Sequence, residues 1–517
     1  MRKFLLSLFI FFCTCQAFAQ SSQPNILLII ADDLGTDVLN GYDVPGNKPV
    51  TPHLDSLRES GINFTNCWAS PQCTPTRAVI ISGKFGIKTG VMDPPGPLDI
   101  EHTSIFNRVK ANPNIDYNMA VIGKWHLAGA GNNLDQPAEH GVDHYEGLFS
   151  SGVEDYYNWE KVTNGVTETI TEYTTSHLTD AAMDWIGGQE APWFLWLAHA
   201  APHSPLQTPP EGLYSTDPQN NRTTYYAMIE AMDHEIGRLL DSMEPAVREN
   251  TVIFFIGDNG TPTSTSPYFP RGHGKSSIYE GGVRVPFFAT GKGISRINVN
   301  DEVLVQATDL HSTILNLMGM DFEDGINNSL NLTPLFTEER SVSRTINYTD
   351  YDNDGLLQWA TRTDRYKLIE DENGNQEFYD VIDDLLEENN LIDNLTADQQ
   401  AIKELLATEA QIIRTGWSCN DGILNGDESS IDDCSEEVLS VQSMPELAVW
   451  PNPSKGTVQI SLPTNEDAIL SVYSASGKRL FKHSIRKDYH LEYLPAGVFL
   501  IQVQSKHGTT SRQVIVR

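Results

Sequence analysis

The stretch Asn25–Asp33, "NILLIIADD", is an apolar run that closes on two adjacent acids. A strand with one solvated face alternates apolar and polar residues. The unbroken run Ile26 to Ile30 instead predicts a strand buried on both faces, as in a parallel sheet. Three more segments share the design. "TVIFFIGDNG" ends in Asp258, Asn259 and Gly260, "MAVIGKWHLAG" runs into Lys124 and His126, and "WFLWLAHAAPHSP" runs into His199 and then His203. A fifth, "GKSSIYEGGVRVP", sets Lys275 ahead of a glycine pair and the apolar "VPFFA". Ligands of parallel sheets bind at the carboxyl ends of the strands, so these polar ends are expected to converge. Helical stretches alternate with the strands, and residues 20–415 predict an α/β fold with a large, mainly parallel sheet flanked by helices. "YYAMIEAMDHEIGRLLDSM" is one such helix, with Met228, Met232, Ile236 and Leu239/Leu240 on one side as core packing.

The residue types at the strand ends suggest chemistry. Asp32, Asp33, Asp258 and Asn259 offer only oxygen ligands, which suits a hard cation, Ca²⁺ or Mg²⁺, and not zinc. Either pair alone reads better as a helix start with Asp as the cap. Two such pairs, each closing a buried strand, favour the metal. Lys124 and His126 are two apart, so on an extended chain they leave the same face. With Lys275, Arg77 and His203 they would form a strongly positive pocket, suited to a tetrahedral oxyanion. The formal net charge of -34 argues against nucleic acid as a partner, and it requires an anionic substrate to be captured locally.

In "SPQCTPTRAVIISGK" (Ser70–Lys84), Thr74 is expected to cap a helix, with Pro75 in its first position and Ala78 to Ile81 continuing it. Cys73 would then sit at a helix N-terminus, which favours an anionic nucleophile or guest, with Arg77 one turn further on. A Cys67–Cys73 disulfide or a buried thiol is the other reading, and the residues alone leave both open.

The ends of the chain differ from its body. The first nineteen residues, "MRKFLLSLFIFFCTCQAFA", have a charged start at Arg2 and Lys3, an apolar centre from Phe4 to Phe12, and small residues at Ala17 and Ala19, the pattern of a signal peptide. Its apolar core is too short to span a bilayer comfortably, and no other long apolar stretch follows, so no transmembrane segment is expected in the mature chain. Loss of Cys13 and Cys15 would leave Cys67, Cys73, Cys419 and Cys434, too few for a disulfide scaffold. Residues 416–440 form an acidic linker, whose "CNDGILNGDESSIDDCSEE" carries seven acids and no basic residue. A solvated spacer is favoured there over calcium binding, and a Cys419–Cys434 disulfide is left open. Residues 441–517 alternate short strands with turns, which predicts a small, separate β-sandwich.

"CTPTR" matches the C-x-P-x-R signature of type I sulfatases in the alkaline phosphatase superfamily, where cysteine is oxidised to Cα-formylglycine. "NILLIIADDLG", "GKWHL", "PHSP", "GDNG" and "GKSSIYEGGVRVP" resemble further sulfatase blocks, in the family's order, and the resemblance spans about Pro24 to Ile413. Ser82 and Lys84 depart from it, since the family usually has T-G-R where this chain has "SGK". "YKLIEDENGNQEFYDVIDD" resembles the family's small C-terminal α+β subdomain, here about residues 340–415. The tail, with "WPNPSKG", "YSASGK" and "LPAGVFLIQV", resembles the C-terminal sorting domain of the Bacteroidetes type IX secretion system, whereas the strand pattern alone also suits a carbohydrate-binding module.

The resemblance implies an exported sulfatase, secreted or attached to the cell surface, with the secretion machinery and a formylglycine-generating maturation enzyme as partners. It implies that Asp32, Asp33, Asp258, Asn259 and the modified Cys73 hold calcium. One hydroxyl of the hydrated aldehyde at position 73, aided by Arg77, would attack sulfur, and the other would then expel sulfate. Lys124 and Lys275 would neutralise sulfate oxygens. His203 would protonate the leaving oxygen, and His126 would act as base in the second step. Ser151, or equally Ser150, stands where some members place a sulfate-site serine. His199 and His273 are expected to be structural, and Cys67 a buried free thiol. The implied substrate is a sulfated polysaccharide or its oligosaccharides. Algal ulvan, carrageenan or fucan is favoured over host glycosaminoglycan, with "GLFSSGVEDYYNW" and "TPTSTSPYFPRGHG" lining the sugar subsites. The rivals are a phosphonate or phosphate-ester hydrolase of the same superfamily and a non-catalytic binder of sulfated glycans.

Overall fold

The structure is a computed structural model that describes residues 23–130, 133–322, 325–338, 344 and 346–415, together with the strands between 448 and 516. The signal segment, the acidic linker and the cysteines Cys419 and Cys434 lie outside the described residues.

Ten strands form one sheet: β1 (Asn25–Ala31), β2 (Gly61–Trp68), β3 (Asn118–Gly123), β4 (His144–Gly147), β5 (Trp159–Thr163), β6 (Val166–Ile170), β7 (Trp193–Ala198), β8 (Thr251–Gly257), β9 (Phe287–Gly291) and β10 (Val299–Gln306). Their order across the sheet is β10-β2-β9-β8-β1-β7-β3-β4-β5-β6. Neighbours in the run β8-β1-β7-β3-β4 are parallel, whereas β9 is antiparallel to both β8 and β2. The four expected acid- or base-bearing strands are therefore adjacent and point the same way. The fifth apolar segment reverses direction, because an apolar run carries no information about strand polarity.

Burial explains the continuous apolar runs. Ile26, Leu28 and Ile30 of β1 enter one core, with the helices Cys73–Ser82, Ile105–Ala111 and Asp309–Leu317. Leu27 and Ile29 enter the other, with the helices Pro52–Glu59, Thr174–Gly187 and Asn221–Ser242. Every residue of β1, β7 and β8 is buried, as expected of strands covered on both faces. The helix Asn221–Ser242 starts in a capping box, in which Thr223 N donates to Asn220 Oδ1 and Asn220 N donates to Thr223 Oγ1. Met228, Met232, Ile236, Leu239 and Leu240 are buried along it.

A four-stranded antiparallel sheet follows, β11 (Asn347–Asn353), β12 (Leu356–Arg362), β13 (Tyr366–Asp371) and β14 (Gln376–Asp380), with the helix Ala397–Thr415. Between 448 and 516 the strands form two antiparallel sheets, of three and four strands. No described helix is long and apolar enough to cross a membrane.

Candidate active site

The carboxyl ends of β8, β1, β7 and β3 lie side by side, and the residues just past them gather at that edge. Asp32 and Asp33 follow β1, Asp258 and Asn259 follow β8, His203 lies in the turn after β7, and Lys124 and His126 follow β3. All are buried except His203, whose side chain is 19% exposed and marks the mouth of the site. The tie between strand ends is direct, since Asp33 N donates to Asp258 Oδ1 at 3.1 Å.

The expected geometry of Lys124 and His126 differs from what is observed. They lie beyond the end of β3, and His126 has φ +56°, so the two-residue alternation of a strand does not govern them. The chain passes β7 so closely at Gly123 (φ +108°) that a Cβ there would lie 1.9 Å from the Ala198 carbonyl oxygen. It then turns both side chains inward, Lys124 onto Asp32 and His126 towards Cys73. Asp33 (φ +69°) and Ser276 (φ +66°), beside Lys275, also hold left-handed backbone, a strain concentrated at functional sites.

The helix bearing Cys73 starts earlier than expected. It spans Cys73–Ser82, with Cys73 rather than Pro75 in the first position and Gln72 in the cap position. Thr74 does not cap it. Its hydroxyl instead lies 3.1 Å from His126 Nδ1, and His126 Nδ1 lies 3.3 Å from Cys73 Sγ. Gly83, at φ +69°, closes the helix. Cys67 and Cys73 are both buried and free, which removes the disulfide alternative. Burial outweighs the nearby Lys124 and pushes the Cys73 thiol above its ordinary pKa.

The charges are paired rather than uniformly positive. Arg77, fully buried, donates to Asp258 Oδ2 at 2.8 Å and to the Lys124 carbonyl at 2.7 Å. Lys124 Nζ donates to Asp32 Oδ2, and Lys275 Nζ lies 2.5 Å from Asp33 Oδ1. Three side-chain cations thus face three carboxylates, and the strongly positive pocket read from the basic residues is a balanced one. Burial opposes the Asp32 charge, but Lys124, His203, Arg77 and Lys275 overcome it and hold its pKa well below the carboxylate range. Burial and then Asp32 push the Asp258 pKa above its ordinary value, against the pull of Arg77. Burial likewise opposes the charge on Lys275, and Asp33 reverses this, so its pKa is raised.

The donor set fits a hard divalent cation. Ligand atoms of Asp32, Cys73 and Asp258 lie within 4.8 Å of one another, as do those of Asp32, Asp33 and His203. Asp32 Oδ1 and Asn259 Oδ1 are buried without a hydrogen-bond partner. Asn259 Nδ2 donates to Asp33 Oδ1 at 2.9 Å, which leaves its carbonyl oxygen for another guest. Buried oxygens rarely stay unsatisfied, and the carboxylate and amide oxygens of Asp32, Asp33, Asp258 and Asn259 are the donors a calcium ion takes, whereas the Cys73 sulfur and the His203 ring nitrogen are not.

His203 Nδ1 lies 2.7 Å from the Ser204 carbonyl and Nε2 lies 3.9 Å from Asp33 Oδ2. The backbone bond fixes the proton on Nδ1 and leaves Nε2 towards the site. Ser150 and Ser151 are exposed, in a loop whose Gly152 borders the His203 ring. His199 is fully buried, and His273 stacks on Tyr279.

Sequence reading missed the residues that fix these groups. Tyr156 OH reaches the carbonyls of Ala200 (2.9 Å) and His203 (2.8 Å), and Tyr225 OH donates to the Asp33 carbonyl at 2.6 Å. Both are buried tyrosines whose polar tips need a partner. No spacing pattern marks them.

A mainly parallel sheet thus gathers carboxylates, amines, imidazoles and a cysteine at its carboxyl edge, a setting suited to binding and cleaving an ester of an oxyanion. The chain belongs to the sulfatase family, sulfuric ester hydrolases: the Sulfatase family model matches residues 24–320, and that of the N-sulphoglucosamine sulphohydrolase C-terminal region matches residues 271–414. A secretion system C-terminal sorting domain matches residues 448–517, which implies export. Arylsulfatase J of Mus musculus is 28% identical over 402 residues, 68% of this chain and 65% of that protein. An ulvan-active sulfatase of Formosa agariphila is 28% identical over 415 residues, 72% of this chain and 78% of that protein. The solved structure of Ps i-CgsB in complex with k-i-k-neocarrahexaose superposes with a TM-score of 0.64 at 25% identity, covering 75% of this chain and 92% of that one.

Proposed function

We propose that this protein is an exported, calcium-dependent sulfatase that removes sulfate from a sulfated algal polysaccharide or its oligosaccharides, with Cys73 converted to Cα-formylglycine. The observation that carries the reading is the convergence of Asp32, Asp33, Asp258, Asn259 and Cys73, with two buried oxygens left unpartnered, beside Arg77, Lys124 and Lys275. The side-chain charges balance, so the excess positive charge that draws a sulfate ester would come from the bound cation. The hydrated aldehyde would supply an oxygen nucleophile and a route to its own regeneration, which a thiol or hydroxyl lacks.

The chain's own residues account for binding and proton movement. Lys124 and Lys275, each at one carboxylate, also face the sulfate oxygens and neutralise them. Arg77, held between Asp258 and the Lys124 carbonyl, presents its charge at the first turn of the Cys73 helix. Burial first, then Lys124 and Arg77, push His126 down to about 2, so its ring is neutral at rest. A bound sulfate offsets those cations and raises the ring's proton affinity when it acts as base at position 73. His203, at the mouth with Nδ1 tied to a carbonyl, delivers a proton to the leaving sugar oxygen from Nε2 of its doubly protonated ring.

The substrate class draws support from relatives, one named for activity on ulvan and one solved with a neocarrahexaose bound. The loops at 147–159 and 261–274 would form the sugar subsites, with Ser151 or Ser150 near the sulfate. In the same reading residues 1–19 are a signal peptide, 20–415 the sulfatase domain, 416–440 an acidic linker and 441–517 the sorting domain that directs the chain to the surface or the medium.

The test is sulfate release from ulvan, carrageenan, fucan and glycosaminoglycans by protein made with a maturation enzyme, with aryl sulfate and phosphonate esters run alongside. Release from an algal polymer, lost on chelation, is expected. Faster phosphonate than sulfate turnover would move the activity to the rival ester class, and binding without release would make the protein a glycan binder.

Two further results are expected. Calcium at about 100 times its Kd should stabilise the metal-free protein by about 2.7 kcal/mol, read as a rise in Tm. An unchanged Tm would remove the metal from the account. His203→Gln should lower kcat by roughly 10²–10⁴-fold on a sugar sulfate but by less than about 10-fold on 4-nitrophenyl sulfate, whose leaving group needs no proton. Equal losses on both substrates would end the general-acid role.

A further inference from the structure

We propose that Asp37 is a positioning residue that holds the two acid-bearing turns in register, and that the calcium affinity of the site depends on it. The inference rests on the calcium reading above.

Asp37 lies in the short 3₁₀ turn Thr36–Val38, a few residues past Asp32 and Asp33, and is fully buried. Both of its oxygens reach across to the segment that follows β8. Thr261 Oγ1 donates to Asp37 Oδ1 at 2.5 Å, and Ser266 Oγ donates to Asp37 Oδ2 at 2.7 Å. Thr261 stands two residues past Asn259, so one carboxylate bridges the two strand ends that supply the metal oxygens.

The neighbouring bonds run the same way. Thr261 Oγ1 accepts from Gly35 N at 3.1 Å and lies 3.5 Å from Tyr225 OH, which itself donates to the Asp33 carbonyl. Ser266 Oγ accepts from Tyr268 N (3.2 Å) and Phe269 N (3.1 Å), and Arg222 grips the carbonyls of Thr265 and Ser266. The two turns approach so closely that a Cβ at Gly35 would lie 2.7 Å from both Thr261 N and Thr261 Oγ1, and only glycine permits this. Among the described residues Asp37 is the one carboxylate hydrogen-bonded to both Thr261 and Ser266, and both of these side-chain bonds go to residues other than the candidate ligands.

Oxygens around a cation must converge on it, and partners one bond removed from the ligands hold them in that orientation. A buried carboxylate that only cross-linked two loops would add stability without regard to the ion. One that sets the ligand spacing should change affinity for the ion as well.

The experiment titrates calcium alone into metal-free full-length protein by calorimetry, with circular dichroism to confirm folding and a melt of each metal-free form. Wild type is compared with Asp37→Ala, Asp37→Asn and Thr261→Val. Asp37→Ala should weaken calcium binding by about 10–100-fold. Asp37→Asn keeps an oxygen for Thr261 and a polar group for Ser266, and should recover part of that loss. Thr261→Val is nearly isosteric and should act in the same direction as Asp37→Ala, and it decides the matter if Asp37→Ala does not fold. Folded variants with a lowered metal-free Tm but wild-type calcium affinity would make Asp37 a plain cross-link and overturn the proposal. A wild type that takes up no calcium would overturn the calcium reading itself, and the proposal with it.

Discussion

Cys73→Ser, made in the presence of the maturation enzyme, is expected to release no measurable sulfate, with kcat down by roughly 10⁶-fold, the scale on which removal of a nucleophile acts. Serine nearly matches the thiol in volume, so the buried first turn of the helix Cys73–Ser82 should keep its packing. What is lost is the group at position 73 that can attack sulfur and afterwards let the sulfate go. Retained calcium binding and an unchanged far-UV spectrum would assign the loss to chemistry. Substantial turnover by the serine variant would mean that another group attacks sulfur, and the role given to Cys73 would fall.

The second large effect concerns Arg77. Its guanidinium is fully buried against Asp258 Oδ2 at 2.8 Å and the Lys124 carbonyl at 2.7 Å. Arg77→Met keeps most of the volume but leaves Asp258 without its partner, and breaking a buried ion pair from one side costs about 3–5 kcal/mol. Activity should fall by about 10²–10³-fold in addition, because a fixed donor at the developing anion is lost. Arg77→Lys retains the charge without the two-pronged grip and should fall between the two. Urea unfolding of metal-free protein measures the first loss, and sulfate release at saturating calcium the second. A methionine variant as stable as wild type would show that the Arg77–Asp258 pair does not hold the metal-free site together.

These effects trace to strand ends that were largely legible. Burial on both faces of a sheet forces a continuous apolar run, and an acid or amine at its end stands out against that run. Asp32, Asp33, Asp258, Asn259, Lys124 and His203 were found in this way. The direction of a strand leaves no such mark, and "VPFFATG" reads like its neighbours although β9 runs against them. Strands β4 to β6 were also silent, since Val166–Ile170 is a solvent-facing edge with no apolar pattern to betray it.

Inside the site, backbone turns defeated simple spacing. Thr74 has the composition of a cap, but the folded chain offers its hydroxyl the His126 ring. Lys124 and His126 reach the same site through a left-handed turn and not along a strand. The charge balance was invisible because pairing is a property of distance: the same basic residues that read as a positive pocket each lie against a carboxylate. Asp37 is one of 69 acids in the chain, and only its two long-range bonds separate it from the rest.

Conversion of Cys73 to formylglycine can be read from the mass of one tryptic peptide, Glu59–Arg77, from active protein made with the maturation enzyme. The expected peptide is lighter by the exchange of the Cys73 thiol for an aldehyde oxygen and reactive towards a hydrazide, with Cys67 still a thiol. An unmodified Cys73 in protein that releases sulfate, or a Cys67–Cys73 disulfide, would contradict it.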